Sequence, residues 1–135
     1  MTYGIKKIDL LYEDLTYKIR GVLFEVHREL GRFATEKQDA DLFEAKLKYH
    51  KMNYRREQRV GDSGNITDFI IEDKIVVEFK AKPFLLKKDY YQLQRYLQST
   101  QLKLGLLVNF RSEYLNPKRV LLAESADIRS SVSNP

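Results

Sequence analysis

Three residues of this sequence have the types and the spacing for metal-assisted hydrolysis at phosphorus: Asp68, Glu78 and Lys80. Asp68 lies in a β-prone run, Ile66–Ile71. Glu78 and Lys80 lie in a second such run, Ile75–Lys80, and Glu72-Asp73-Lys74 stands between the two. Two short β-branched and aromatic runs joined by a polar turn predict a hairpin. With a three-residue turn, Ile71 faces Ile75, Ile70 faces Val76, Phe69 faces Val77 and Asp68 faces Glu78. Side chains alternate between the faces of a strand. One face then carries Phe69, Ile71, Ile75, Val77 and Phe79, all apolar. The other carries Ile70 and Val76 near the turn, then Asp68, Glu78 and Lys80 at the far end. Facing residues on one side of a hairpin stand about 4.5–5.5 Å apart at Cβ. Two carboxylates that close repel each other, and a divalent cation between them relieves the repulsion. Oxygen donors of this hardness favour Mg²⁺ or Mn²⁺. Lys80, on the same face, is placed to orient a water and to offset charge on a phosphate. The competing reading is a surface ion-pair cluster worth under about 1 kcal/mol. The register also decides the matter, since a two-residue turn would send Asp68 to the wrong face.

The elements that must position this hairpin are legible from periodicity. Leu15, Ile19, Val22, Val26 and Leu30 recur at helical spacing over residues 12–30, and Gly31 follows as a stop. Thr35 and Gln38 have the spacing of a capping box and open a second helix, with Ala40, Phe43 and Leu47 on its apolar stripe, ending between His50 and Asn53. Tyr54–Val60 reads as a weak or edge strand, and the following GDSGN as a turn. After the hairpin, residues 87–100 form a third helix with Tyr90, Leu93 and Leu97 on one side. Residues 103–110, KLGLLVNF, read as a strongly apolar strand at the centre of a sheet, and RVLLA as a last short strand. A helix between the hairpin and residues 103–110 makes that pairing parallel. The fold class is therefore α/β, a mixed central sheet flanked by helices. Residues 1–124 read as a single domain and 125–135 as a C-terminal tail.

Composition narrows the classes further. The chain has 135 residues with 43% hydrophobic content, which suits one core. It has no cysteine, which excludes disulfides and thiolate metal sites and points to a reducing, cytoplasmic setting. No apolar stretch is long enough for a membrane span, and the N-terminus lacks a signal core. The net charge of +5 permits a polyanionic partner without requiring one. Basic residues cluster at Lys46, Lys48, Lys51, Arg55, Arg56 and Arg59, and again at Lys80, Lys82, Lys87 and Lys88 beside the candidate site. His27 and His50 have no partner at metal-ligand spacing, so nucleophilic triads and histidine metal sites find no support.

An aspartate on one strand and Glu-x-Lys on the next (Glu78-Phe79-Lys80), followed by a helix, resembles the PD-(D/E)xK nuclease superfamily. Thr67 stands where that pattern usually has proline. The strings ELGRFATEKQ, DFIIEDKIVVEFKAKP, YYQLQRYLQ and LKLGLLVNFR are similar to the GxxExxY proteins, a branch of the superfamily, over about Glu13 to Val120. The resemblance implies a restriction-endonuclease-like core and divalent-metal-dependent cleavage of nucleic acid, DNA first, with Mg²⁺ or Mn²⁺ as cofactor. It implies that Glu36 joins Asp68 and Glu78 as a metal ligand, and that Asp68, Glu78, Lys80 and Glu36 form the catalytic set. Without it, Glu36 is a first-turn glutamate favoured by the helix dipole. Gln92 and Tyr96, one turn apart, resemble the Gln-x-x-x-Tyr motif of the exonuclease-like members, which implies contact with the site or the DNA. Lys82 and Lys88 are expected to meet its phosphates. The naming motif departs at two places: Phe33 replaces its first glycine and Asp39 its tyrosine. These departures keep open a catalytically degenerate module that binds nucleic acid, or a protein-interaction domain. A homodimer is compatible with cutting both strands.

Overall fold

The computed structural model of the chain describes residues 11–60 and 65–123. Most of the expected GDSGN turn, the C-terminal tail and the first ten residues lie outside that range. Eight elements follow one another: α1 (Glu13–Leu30), α2 (Glu36–Tyr49), β1 (Tyr54–Val60), β2 (Asn65–Ile71), β3 (Ile75–Lys80), α3 (Lys87–Thr100), β4 (Leu104–Asn109) and β5 (Lys118–Leu121). The strands form one five-stranded sheet in the order β1-β2-β3-β4-β5. All pairings are antiparallel except β3–β4, which α3 makes parallel by carrying the chain back across the sheet. The hairpin register is Phe69 to Val77, Ile70 to Val76 and Ile71 to Ile75. Its turn is held by the Lys74 amide donating to the Ile71 carbonyl, with Glu72 and Asp73 in left-handed backbone conformations. The centre of the sheet is β3. The apolar strand expected there, β4, is interior but one place off centre, because β5 adds only one further strand beyond it.

Helices cover both faces. On one, α1 and α2 bury Ile19, Leu23, Val26, Phe43 and Leu47 against Phe69, Ile71, Ile75, Val77 and Phe79, the apolar face of the hairpin. On the other, α3 packs Leu93, Tyr96 and Leu97 against Ile70, Val76, Leu107 and Val120. Local sequence explains the helix limits. Gly31 ends α1 at φ 74°, donating its amide to the His27 carbonyl. Thr35 and Gln38 form a reciprocal capping box at the start of α2. Leu86 has no acceptor to cap α3, so the Asp89 carboxylate takes the Leu86 amide at 2.7 Å instead.

Phe43, Phe69, Phe79 and Phe110 meet edge-on beneath the acidic end of the hairpin, with centroids 4.9 Å apart for Phe43–Phe69 and 4.7 Å for Phe79–Phe110. Such pairs contribute about 0.5–1.5 kcal/mol each beyond area burial. Phe69 adjoins Asp68, and Phe79 separates Glu78 from Lys80, so this cluster fixes the backbone from which the acidic and basic side chains project.

Candidate active site

The β2–β3 ladder stops at Phe69 and Val77. Beyond it, Asp68 and Glu78 face each other, and their side chains take over the bonds the ladder gives up. The Asp68 amide donates to Glu78 Oε1 at 2.9 Å, and the Phe79 amide donates to Asp68 Oδ2 at 2.7 Å. Thr67, fully buried, donates its hydroxyl to the same Glu78 Oε1 at 2.5 Å. The two carboxylates thus reach into the gap between the strands instead of projecting off one face as simple alternation predicts. Each is fixed by an amide of the opposite strand.

Burial opposes their ionisation. Glu78 is only 5% exposed, and its carboxyl is pushed well above the ordinary range, first by burial and then by Asp68 beside it. Asp68 is raised too, chiefly by burial, with Glu36 and Glu57 adding repulsion, while the Phe79 amide and Lys80 pull the other way. A buried carboxylate pair, raised chiefly by burial, is the electrostatic condition that a cation relieves.

Glu36, at the first turn of α2, shares a depression of about 270 Å³ with Asp68, Ala40, Arg56, Glu57 and Phe69. Among the described residues, no three carboxylate or histidine side chains are close enough to hold one ion between them. Asp68 and Glu78 stand together as a pair, and Glu36 lines the depression beside Asp68. Two hard carboxylates suit Mg²⁺, which keeps several waters and takes its remaining oxygens from substrate phosphate.

Glu57 was not legible as a site residue. It stands across β1 from Asp68, both are skipped by the β1–β2 ladder, and Glu57 has φ 53°. A non-glycine residue in that region inside a strand is strained. Its charged, weak edge strand offered no signal that it would line the same depression as Asp68.

Lys80 is joined to α3. Its Nζ donates to Gln92 Oε1 at 2.9 Å, and Gln92 Nε2 donates to the Tyr96 hydroxyl at 2.9 Å. Tyr96 is 3% exposed, and its hydroxyl is raised by burial and then by Glu78 and Asp68. Lys80, Gln92 and Tyr96 thus form a hydrogen-bonded relay whose tyrosine end feels the charge of the acidic pair. Lys82 instead pairs with buried Asp89 at 2.9 Å. Burial raises Asp89, but the Leu86 amide and the Lys82 ammonium outweigh it, and the net shift is downward. Lys88 lines a second depression, of about 340 Å³, with Lys80, Lys82, Asp89, Gln92 and Arg95. Of the other basic cluster, Lys46 pairs with Glu25 and Glu29, Arg55 with Asp73, and Arg56 with Asp41 and Glu44.

The two positions that depart from the GxxExxY pattern behave differently. Phe33 is 75% exposed, and its backbone does not adopt a positive φ, so glycine is not required there. Asp39 is fully buried, and neither of its carboxylate oxygens has a hydrogen-bond partner among the described residues. Burial and then Glu36 push it up to about 6.

A profile of the PD-(D/E)XK nuclease superfamily matches residues 13–120. The chain belongs to this superfamily. The match spans all the described elements up to β5, and the mixed sheet between helices agrees with it. No curated protein gives a significant match. A solved structure titled "Crystal structure of SSO0001" aligns at 24% identity and a TM-score of 0.49, covering 76% of this chain and 60% of that one. The chain thus spans about three fifths of that neighbour, and membership rests on the superfamily match.

Proposed function

We propose that the protein is a divalent-metal-dependent phosphodiesterase acting on nucleic acid, with DNA as the first substrate to test, within the GxxExxY branch. The observation that carries this reading is the buried Asp68–Glu78 pair, each carboxylate raised by burial and by its neighbours and locked by an amide of the other strand. Asp68 and Glu78 would hold Mg²⁺ or Mn²⁺, and Glu36 would contribute through a water. Bound there, the ion supplies positive charge against the phosphate as charge develops on its oxygens.

The chain's own residues do the rest. Lys80, tethered by Gln92, is near enough to Asp68 and Glu78 to favour the charged form of both, and from there it orients the attacking water and offsets phosphate charge. Tyr96 fixes the Gln92 amide and thereby the lysine. Water oxygen bonds to phosphorus, the bond to the leaving sugar oxygen breaks, the attacking water's proton passes to solvent, and the leaving oxygen takes a proton from solvent to depart as an alcohol. Lys88 contacts a flanking phosphate from the rim. Lys82, bound to Asp89, shapes the same rim.

The test is cleavage of single- and double-stranded DNA and RNA with Mg²⁺ or Mn²⁺, with Asp68→Ala and Lys80→Ala in parallel. Loss of at least about a hundredfold in either variant is expected. Cleavage that survives both substitutions contradicts the assignment. The unpartnered carboxylate of Asp39 favours a second reading, a nuclease fold that binds nucleic acid without cutting it. Salt-sensitive DNA binding with no metal binding would select that reading.

A further inference from the structure

Phe33 is 75% exposed although it belongs to a short connection between two well-capped helices. It is also not isolated. The Arg32 guanidinium lies 5.1 Å from its ring centroid and the Arg111 guanidinium 5.6 Å from it. The three side chains come from two distant parts of the chain, bound together by Arg32 Nε donating to the Arg111 carbonyl at 3.0 Å. The guanidiniums leave most of the ring accessible. Arg111 Nε is buried and, among the described residues, has no hydrogen-bond partner. The group is thus an open aromatic surface flanked by two cations.

Its position relates it to the candidate site. Phe33 precedes Glu36 by three residues, across the Thr35 cap. Arg111 follows Phe110, whose amide donates to the Lys80 carbonyl at 2.9 Å. Both halves of the group therefore stand at the sheet end where Glu36 and Lys80 lie. In open α/β sheets ligands gather at that carboxyl end of the parallel strands.

We infer that Phe33, Arg32 and Arg111 form a stacking platform for one unpaired nucleobase of a strand whose backbone runs into the site. The base lies on the Phe33 ring, as bases do on aromatic side chains in single-strand binding proteins. Arg32 and Arg111 take the phosphates on either side of it through the outer nitrogens of their guanidiniums. Duplex cannot use the platform unless its end frays, so the platform favours single strands and strand ends. The inference rests on the phosphodiesterase reading for its polymer.

The protein contains no tryptophan, so Phe33→Trp installs a single reporter at the proposed contact. This variant is titrated, in EDTA to prevent cleavage, with a short oligothymidylate and with an abasic strand of equal length and charge. Strong quenching by the first and little by the second is expected. By anisotropy, Phe33→Ala should weaken the base-bearing strand by roughly 5- to 150-fold and leave the abasic strand unchanged. Arg32→Ala should weaken both. Because position 33 is exposed, unaltered melting temperatures are expected for both Phe33 variants. Tryptophan emission that stays fixed while the oligonucleotide binds, or equal loss of both strands in Phe33→Ala, overturns the platform and leaves the phosphodiesterase reading standing. Failure of the wild-type protein to bind any polynucleotide overturns both.

Discussion

Asp68 combines two roles that usually conflict. Its carboxylate accepts the Phe79 amide, which makes it structural, and it sits against Glu78, which makes it costly when ionised. Asp68→Asn keeps an acceptor and removes the charge. It should abolish cleavage while raising stability by about 1 kcal/mol, the usual trade between a strained site and the fold around it. Thermal unfolding of the metal-free protein measures the second effect. Asp39 gives a separate pH signature. Its folded value of about 6 lies above the ordinary 3.8. The unfolded chain gives up this proton first, so as pH rises from about 4 to 6 the fold loses stability, and the loss persists above that range. A rise of that size in a carboxyl group corresponds to about 1–3 kcal/mol. Asp39→Asn should flatten that decline in denaturant titrations run across the window. Neither behaviour was legible in the sequence. Asp39 read as a departure from a motif, and only the packing of α2 shows that it is buried without a partner.

At the scale of elements, much was legible. The period of three and four in α1, the Thr35–Gln38 box of α2 and the Glu72–Lys74 turn each fix a limit or a register from neighbouring residues alone. What could not be read were arrangements between distant segments. Glu57 lies across from Asp68 because β1 is skipped in its ladder at that one place, and Lys82 is engaged because Asp89 folds back to cap α3. The seat of α3 matters in the same way. A Cβ at Gly105 on β4 would come within 2.8 Å of Leu93 Cδ1. Gly105→Ala should therefore cost about 1–3 kcal/mol and should also slow cleavage, because α3 carries Gln92 and Tyr96. If stability falls and the cleavage rate per folded molecule is unchanged, the Lys80–Gln92–Tyr96 relay has no part in positioning the lysine.

For the whole molecule, the charge of +5 is unevenly available. Lys46, Arg55 and Arg56 are engaged by carboxylates of neighbouring elements, whereas Lys88 and Arg95 line the depression beside Lys80. Lys88→Ala should lower the salt slope of DNA binding by about one, and Lys46→Ala should leave it unchanged. Among the described residues no helix is long and apolar enough to cross a membrane. A sheet with helices on both faces leaves its acidic gap at one end, and the proposed chemistry depends on a cation being held there. Calorimetric titration with Mn²⁺ near neutral pH tests this most directly. Wild-type protein should bind with release of protons, because Glu78 must give up its raised proton to the ion, and Asp68→Ala should give no binding heat. Absence of Mn²⁺ binding by the wild type, in a sample that still binds DNA, would contradict the proposed metal site.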